Sequence, residues 1–304
     1  MYSLKYMVPV LNIFMLFQKE MGRLVAKRWD VFLCIFAWAN RSIRELKGKL
    51  KLYKAEAIVL RTINLREADL LAVLFSREYG KLRVIAHGAR KAQSRKRGFV
   101  QPFCYTRFLL YKGREMDSIS QCEGVELFPD LLRNLSTIGW ANHLTGLVEN
   151  LTAEGEANEK VFLLLLQSLR LLAQGDAEIL ARAFEVKLIS FLGYRPVLQH
   201  CVLCRRPPAG AQAAFSAAAG GVLCSVCAGQ GTQPVIWCRR GTVETLKLFL
   251  RWELARLGNC KVDAQAKKEL KAILENYLEY HLGYRGRIAD FWLEPDGPGR
   301  HRAK

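Results

Sequence analysis

Two cysteine pairs constrain this chain more than any other feature. Cys201-x-x-Cys204 is followed by nineteen residues and then by Cys224-x-x-Cys227, the spacing at which two short turns grip opposite sides of one tetrahedral ion. Four thiolates at about 2.3 Å fill the coordination shell of zinc and leave no position for a reacting water. The expected centre is therefore one structural zinc per chain, with Cys201, Cys204, Cys224 and Cys227 as its ligands. Zinc binding by small peptides of this type is worth roughly 10 to 16 kcal/mol. That matters for the stretch Ala209 to Gly221, whose Ala/Gly composition reads in isolation as a flexible linker. Between two knuckles it is expected to be a metal-pinned loop without a core of its own.

Other uses of these cysteines fit less well. A redox dithiol sits in a strand-turn-helix setting that neither pair shows. A zinc deaminase needs His-x-Glu and Pro-Cys-x-x-Cys, and neither pattern occurs. His200 abuts Cys201 but is a bystander beside a full set of sulfurs. The remaining cysteines, Cys34, Cys104, Cys122, Cys238 and Cys260, lack paired spacing and read as small buried side chains. An odd total of nine, in a chain without a secretion signal, argues against a disulfide framework.

Charge points to the partner class. Against 28 acidic residues stand 46 Lys and Arg, a formal charge of +18, so polyanions are the natural ligands, nucleic acid before membrane phosphate. The cations concentrate in one place. Gly88 to Gly98 holds Arg90, Lys91, Arg95, Lys96 and Arg97 with no acid, and these five are the candidate phosphate contacts. Phe99, Phe103, Tyr105, Phe108 and Tyr111 follow, a combination of backbone-tracking cations and stackable rings used for single strands. Strand parity lets only one subset of these rings face a ligand.

The chain is organised in blocks. Residues 1–52 carry ten basic residues against three acids, with apolar runs Met7 to Phe17 and Val31 to Asn40 that fall short of the roughly 20 residues needed to cross a bilayer. This block reads as an extension without a role in the fold, of the kind an overextended start leaves. Its alternative is a basic amphipathic helix that would make the protein a membrane-surface adaptor. From Tyr53, five alternating runs punctuated by Gly80, Gly88 and Gly113 predict a small closed barrel: Tyr53 to Arg61, Leu70 to Phe75, Lys81 to His87, Phe103 to Tyr111 and Ser118 to Leu127. After Pro129 the period becomes helical, with helices predicted around Leu135 to Leu151, Phe162 to Leu172, Ile179 to Phe191, Val243 to Leu257 and Ala266 to Leu282. The near-continuous apolar run Phe162 to Leu172 predicts a helix buried on most sides. The expected domains are 53–129 (barrel), 130–199 and 233–293 (helical bundle), 200–232 (zinc insert) and 294–304 (frayed tail).

Catalytic machinery is missing from the sequence. No Gly-x-x-x-x-Gly-Lys-Ser/Thr, Gly-x-Gly-x-x-Gly, His-Glu-x-x-His or Gly-x-Ser-x-Gly occurs, and the expectation is a binding protein rather than an enzyme. A zinc hydrolase would need an open coordination position that four cysteines deny it.

This order of features, basic barrel, helical bundle and knuckles inserted between helices, resembles the bacterial RecO family of recombination mediators. Tyr53-Lys-Ala-Glu-Ala-Ile-Val-Leu60 is similar to that family's opening strand, Gly88-Ala-Arg-Lys91 to its basic loop and Leu192-Gly-Tyr-Arg-Pro196 to its lead into the first cysteine pair. Phe215-Ser-Ala-Ala-Ala-Gly-Gly221 and His281-Leu-Gly283 are similar to its approach to the second pair and to its last helix. The resemblance implies an α+β fold, an OB-fold barrel followed by a helical bundle with an inserted four-cysteine zinc finger. It implies a protein without turnover that binds single- and double-stranded DNA, anneals complementary strands and partners RecR. It further implies help in loading RecA onto DNA coated by single-strand binding protein, engagement of that protein's acidic C-terminal tail, and a cytoplasmic, nucleoid-associated location. Arg90 and Lys91 match the family's basic loop and the four cysteines its zinc ligands, whereas Arg95, Lys96 and Arg97 rest on charge alone. Family members lack the N-terminal extension.

Overall fold

The computed structural model describes residues 52–231, 233–257 and 260–285. The expected extension before Leu52, with Cys34, and the expected tail from 294 lie outside these residues. Five strands form a closed barrel: β1 (Leu52–Asn64), β2 (Leu70–Ser76), β3 (Gly80–Ala86), β4 (Tyr105–Tyr111) and β5 (Asp117–Glu126), in the order β1-β2-β3-β5-β4 with β4 returning to β1. Four neighbouring pairs are antiparallel and β3–β5 is parallel, through Val84 with Asp117 and Ile85 with Ser118, which is the OB-fold topology.

Period-two patterning explains how the barrel is filled. Ala55, Ala57 and Val59 of β1 point inward with Ala72, Leu74, Val84, Phe108 and Leu110. The alternate residues Ile58, Leu60, Val73 and Phe75 leave the barrel and join the core of the helices. Both faces of β1 and β2 are thus covered, and their sequences show no clean polar alternation for that reason. β4 starts two residues later than its apolar run, because Phe103 adopts a left-handed conformation (φ 73°) that turns the chain before Tyr105.

A 3-10 turn (Pro129–Arg133) leads to α1 (Leu135–Leu151), α2 (Glu159–Leu171) and α3 (Ala177–Phe191). Each helix starts where a side chain can accept from its free amides: Asn134 from Ser136 N, Asn158 from Val161 N and Asp176 from Ile179 N. The most enclosed helix is α3 and not the Leu-rich α2. Leu163 of α2 is 40% exposed and Gln167 and Arg170 face solvent, whereas α3 packs against α1, α2 and the later helices.

The remaining elements are β6 (Gln212–Ser216), β7 (Gly221–Leu223), α4 (Ser225–Gln230), β8 (Ile236–Arg239), α5 (Arg240–Arg251), α6 (Leu254–Leu257) and α7 (Ala264–Leu282). Two expectations change here. Ala209 to Gly221 is not a metal-pinned loop: its centre is β6, the middle strand of an antiparallel sheet β7-β6-β8. Ala213 and Phe215 enter the main core, where the Phe215 ring meets Tyr277 edge-on at 5.6 Å. The helix expected over Val243 to Leu257 begins earlier, at Arg240, and breaks at Trp252, whose extended backbone (φ −89°, ψ 152°) separates α5 from the single turn α6. Leu254 and Leu257 stay buried on both counts, so periodicity alone could not show the break. Among the described residues no helix is long and apolar enough to cross a membrane.

Candidate metal centre and nucleic-acid interface

The two knuckles are built by different local means. In the first, the Arg205 N–H donates to the Cys201 carbonyl at 2.9 Å and the Cys201 N–H donates to the Arg206 carbonyl at 2.8 Å, closing a tight turn through Arg205 at φ 60°. In the second, β7 delivers Cys224 to the N-cap of α4, where its sulfur accepts from Cys227 N at 3.5 Å. A backbone bond from Val202 N to Val222 O (2.9 Å) ties the knuckles together. Gly221 sits where β7 crosses the chain before the first knuckle, so close that a Cβ would run into the Val197 carbonyl.

This arrangement brings the four cysteine sulfurs within 4.8 Å of one another. The Sγ atoms of Cys204 and Cys224 are 3.7 Å apart, matching the roughly 3.8 Å edge of a sulfur tetrahedron built on metal–sulfur bonds of about 2.3 Å. A disulfide would hold them at about 2.05 Å. Burial opposes ionisation of Cys201, but backbone donors from Cys204, Cys224 and Leu203 outweigh it and bring this thiol down to about 6. Cys227 is pushed up to about 12, by its contact with Cys224 first and by burial and the other two sulfurs after it. Protons crowded among four sulfurs cannot all leave without a cation to replace them, and a soft divalent metal is the cation such a donor set fits. Ala214, Leu223 and Ala228 form a small cluster around Cys201. Of the unpaired cysteines, Cys104 and Cys238 are buried as expected, while Cys122 and Cys260 are half-buried at the edges of the two larger cores.

The basic loop joins β3 to β4 as a chain of turns, with Lys91 N bonded to Gly88 O, Ser94 N to Lys91 O, Arg97 N to Ser94 O and Phe99 N to Lys96 O. It is anchored to the barrel interior by Ala89 and Val100, both fully buried. Asp69 holds its start, accepting from Gly88 N at 2.8 Å and meeting His87 Nδ1 at 3.0 Å. The Gly88 amide, then His87, keep this carboxyl below its ordinary range. A rigid base therefore carries the cations.

Those cations divide. Arg90, Lys91, Arg95 and Arg97 are exposed and form no ion pair with a described carboxylate. Lys96 is half-buried, and its ammonium donates to the Ile119 carbonyl at 2.6 Å, bracing the loop against β5. Sequence reasoning missed Arg66: exposed in the β1–β2 turn, its carbonyl accepts from Arg90 Nη1 at 3.2 Å, which places it beside the loop. Its neighbours Glu67 and Asp69 mask its charge in the sequence, yet Asp69 is turned inward on Gly88. Among the other barrel arginines, Arg61 pairs with Glu149, Arg83 with Glu154 and Arg107 with Glu56, whereas this loop presents four exposed cations together without a described carboxylate partner.

Most of the ring series serves the core. Phe108 fills the barrel. Phe103 and Tyr105 are buried against the helices, Tyr105 edge-on to Phe162 at 5.8 Å with its hydroxyl on Glu56. Phe99 lies over Gly124, where a Cβ would overlap its ring. Tyr111 remains 40% exposed. A stacking platform of alternate rings on β4 is therefore not formed, because those positions face two cores at once.

Comparison with known proteins agrees with this architecture. Residues 50–128 match the family model described as Recombination protein O N terminal, and residues 132–287 match Recombination protein O C terminal. The DNA repair protein RecO of Pelotomaculum thermopropionicum is 51% identical over 233 residues, 77% of this chain and 90% of that protein. The DNA repair protein RecO of Desulforamulus reducens is 42% identical over 242 residues, 80% of this chain and 94% of that protein. That of Moorella thermoacetica is 34% identical over 258 residues, covering 83% and 96%. With an OB-fold barrel, a helical core and clustered cysteines beneath those matches, the chain belongs to the RecO family.

Proposed function

We propose that this protein is a DNA repair and recombination mediator that grips DNA by charge and makes or breaks no bond. The observation that carries the reading is the β3–β4 loop: Arg90, Lys91, Arg95 and Arg97 exposed without carboxylate partners on a loop anchored at both ends in the barrel. Such a surface attracts phosphate, single- and double-stranded, and screens the repulsion between two strands approaching each other, so annealing needs no nucleotide hydrolysis. Zinc on Cys201, Cys204, Cys224 and Cys227 supplies a fixed crosslink; the chain's own backbone donors at Cys201 ready the first sulfur for it. Family likeness extends the reading to RecR as partner, to single-strand binding protein through its acidic tail, to indirect help for RecA, and to a cytoplasmic, nucleoid-associated site of action.

Charge reversal tests it. Arg90→Glu, Lys91→Glu, Arg95→Glu and Arg97→Glu together should abolish strand annealing and leave metal content unchanged, and four lost contacts should flatten the log–log salt dependence of single-strand binding by about 3. Annealing at the parental rate by that variant would overturn the reading.

A further inference from the structure

A cavity of about 400 Å³ opens between α1, α3 and α7, lined by His143, Glu185, Glu275, Glu279, Tyr284 and Arg285 among others. That volume is in the range of small-ligand sites. On a chain of formal charge +18, a space edged by three carboxylates is out of character.

The end of α7 builds it. Gly283 closes the helix in the left-handed region (φ 64°), and the Tyr284 N–H donates back to the Leu278 carbonyl at 3.3 Å, a stop that folds the chain onto the turn it has just left. Tyr284 therefore packs against the helical core, its hydroxyl beside Gly146 of α1, where a Cβ would stand 3.7 Å from it. Arg285 lands on Glu279 at 2.8 Å. Glu275 and Glu279, one turn apart, form a wall on α7. His143 and the fully buried Glu185 form the floor.

The floor groups accept hydrogen bonds. Glu185 is kept ionised by Arg182 and meets His143 Nε2 at 2.6 Å. In the neutral imidazole the proton then lies on Nε2, and Nδ1 is left as an acceptor. The ring is 7% exposed, and Nδ1 has no partner among the described residues. The Tyr284 hydroxyl also lacks a described partner, and burial, then Glu185, pushes it up to about 12, so the phenol stays neutral.

Three occupants compete for this space. A metal ion needs several donors gathered around one point, and among the described residues only the four cysteines gather in that way. An anion would face three carboxylates. An elongated molecule with a donor group at each end matches acceptors spread over floor and wall. Arg285 already shows the wall holding a guanidinium, through an exposed pair that contributes little and can be displaced.

We propose that this cavity binds a small organic dication, with a guanidinium or primary ammonium at each end of an aliphatic chain. One end rests on His143 Nδ1 and the Tyr284 hydroxyl, the other on Glu275 and Glu279. The site is independent of the DNA-binding reading above.

The test uses the full zinc-loaded chain and agmatine, which carries a guanidinium and an ammonium at opposite ends of a butyl chain. Titration calorimetry should show one saturable site per chain. Glu275→Gln with Glu279→Gln should weaken binding about tenfold, the worth of one charge-assisted bond, with zinc content and melting temperature unchanged. Butylguanidine, cationic at one end only, should bind about tenfold more weakly than agmatine. The absence of saturable binding, parental affinity in the double variant, or equal affinity for butylguanidine would each overturn the proposal. Nitrogen NMR of the unmodified chain labelled at histidine gives a reading independent of any variant's folding. Agmatine should shift the Nδ1 resonance of His143 and leave that of His87 in place; an unmoved His143 resonance at saturating agmatine overturns the site.

Discussion

Arg182 and Glu185 are the least expected residues in the structure, a charged pair lying within a helix whose periodicity announces only core. Arg182 is 1% exposed and Glu185 fully buried. The guanidinium donates to both carboxylate oxygens at 2.9 Å and stacks 5.5 Å from the Trp140 ring, and His143 meets Glu185 at 2.6 Å. Burial opposes ionisation of Glu185, but Arg182 and His143 prevail and hold it below the ordinary carboxyl range. Removing Arg182 leaves the buried carboxylate with His143 as its remaining partner, so Arg182→Met should cost about 3 to 5 kcal/mol in urea unfolding. Because the folded value is lowered, the stability from this pair is complete above the unfolded carboxyl value and is lost as pH falls through the folded one. Denaturant midpoints across acidic pH should show this loss, and Glu185→Gln should remove it. A second residue-scale case is Gly80, at φ 67° with the Glu156 carbonyl where a Cβ would stand. Gly80→Ala should destabilise the chain by about 1 to 3 kcal/mol, read as a lower melting temperature; an unchanged melting temperature would refute the close packing.

At the scale of elements, the cysteine lobe shows what a metal adds to a short sheet. β7 and α4 contribute few apolar residues, and their own buried cluster is small, whereas β6 is held from its other face by the main core through Phe215. Chelation should therefore release the metal, abolish amide protection in residues 201–206 and 221–230, and leave α1, α2 and α3 protected. Exchange measured with and without a chelator checks this; collapse of protection throughout would show that the metal supports the whole fold. The same element shows where reading the sequence failed. A strand written in Ala and Ser carries almost no local β signal, and only pairing with β7 and β8 makes it one. Strands β1 to β4, rich in Val, Leu, Ile and Phe and bounded by turns, were legible to within a few residues, as were the more polar β5 and α7.

On the scale of the described molecule, barrel and helices share one core. Ile58, Leu60, Val73 and Phe75 pack among the helical side chains. The seam is closed by Arg61 with Glu149, Arg77 with Glu159, Arg83 with Glu154 and Arg170 with Glu126, and by Lys81, which donates to the carbonyls of Glu149 and Thr152 at 2.6 Å. Exposed pairs of this kind set orientation more than stability; the buried aromatics supply the cohesion. Phe75→Ala should cost about 3 to 5 kcal/mol and weaken amide protection in β3 and α3 alike. Loss confined to the barrel would mean that the two parts unfold independently.

What this sequence determined by itself was everything carried by local spacing: the cysteine knuckles, the strand and helix periods, and the run of cations between Gly88 and Gly98. What tertiary structure decided was which neighbour each side chain meets. It set Lys96 apart as a brace, brought Arg66 beside Arg90, buried three of the five rings and turned an alanine-rich stretch into a central strand. Spacing along a chain is a property of covalent geometry and can be read in order. Pairing, burial and charge compensation depend on residues far apart in sequence, and exist only once the chain has closed on itself.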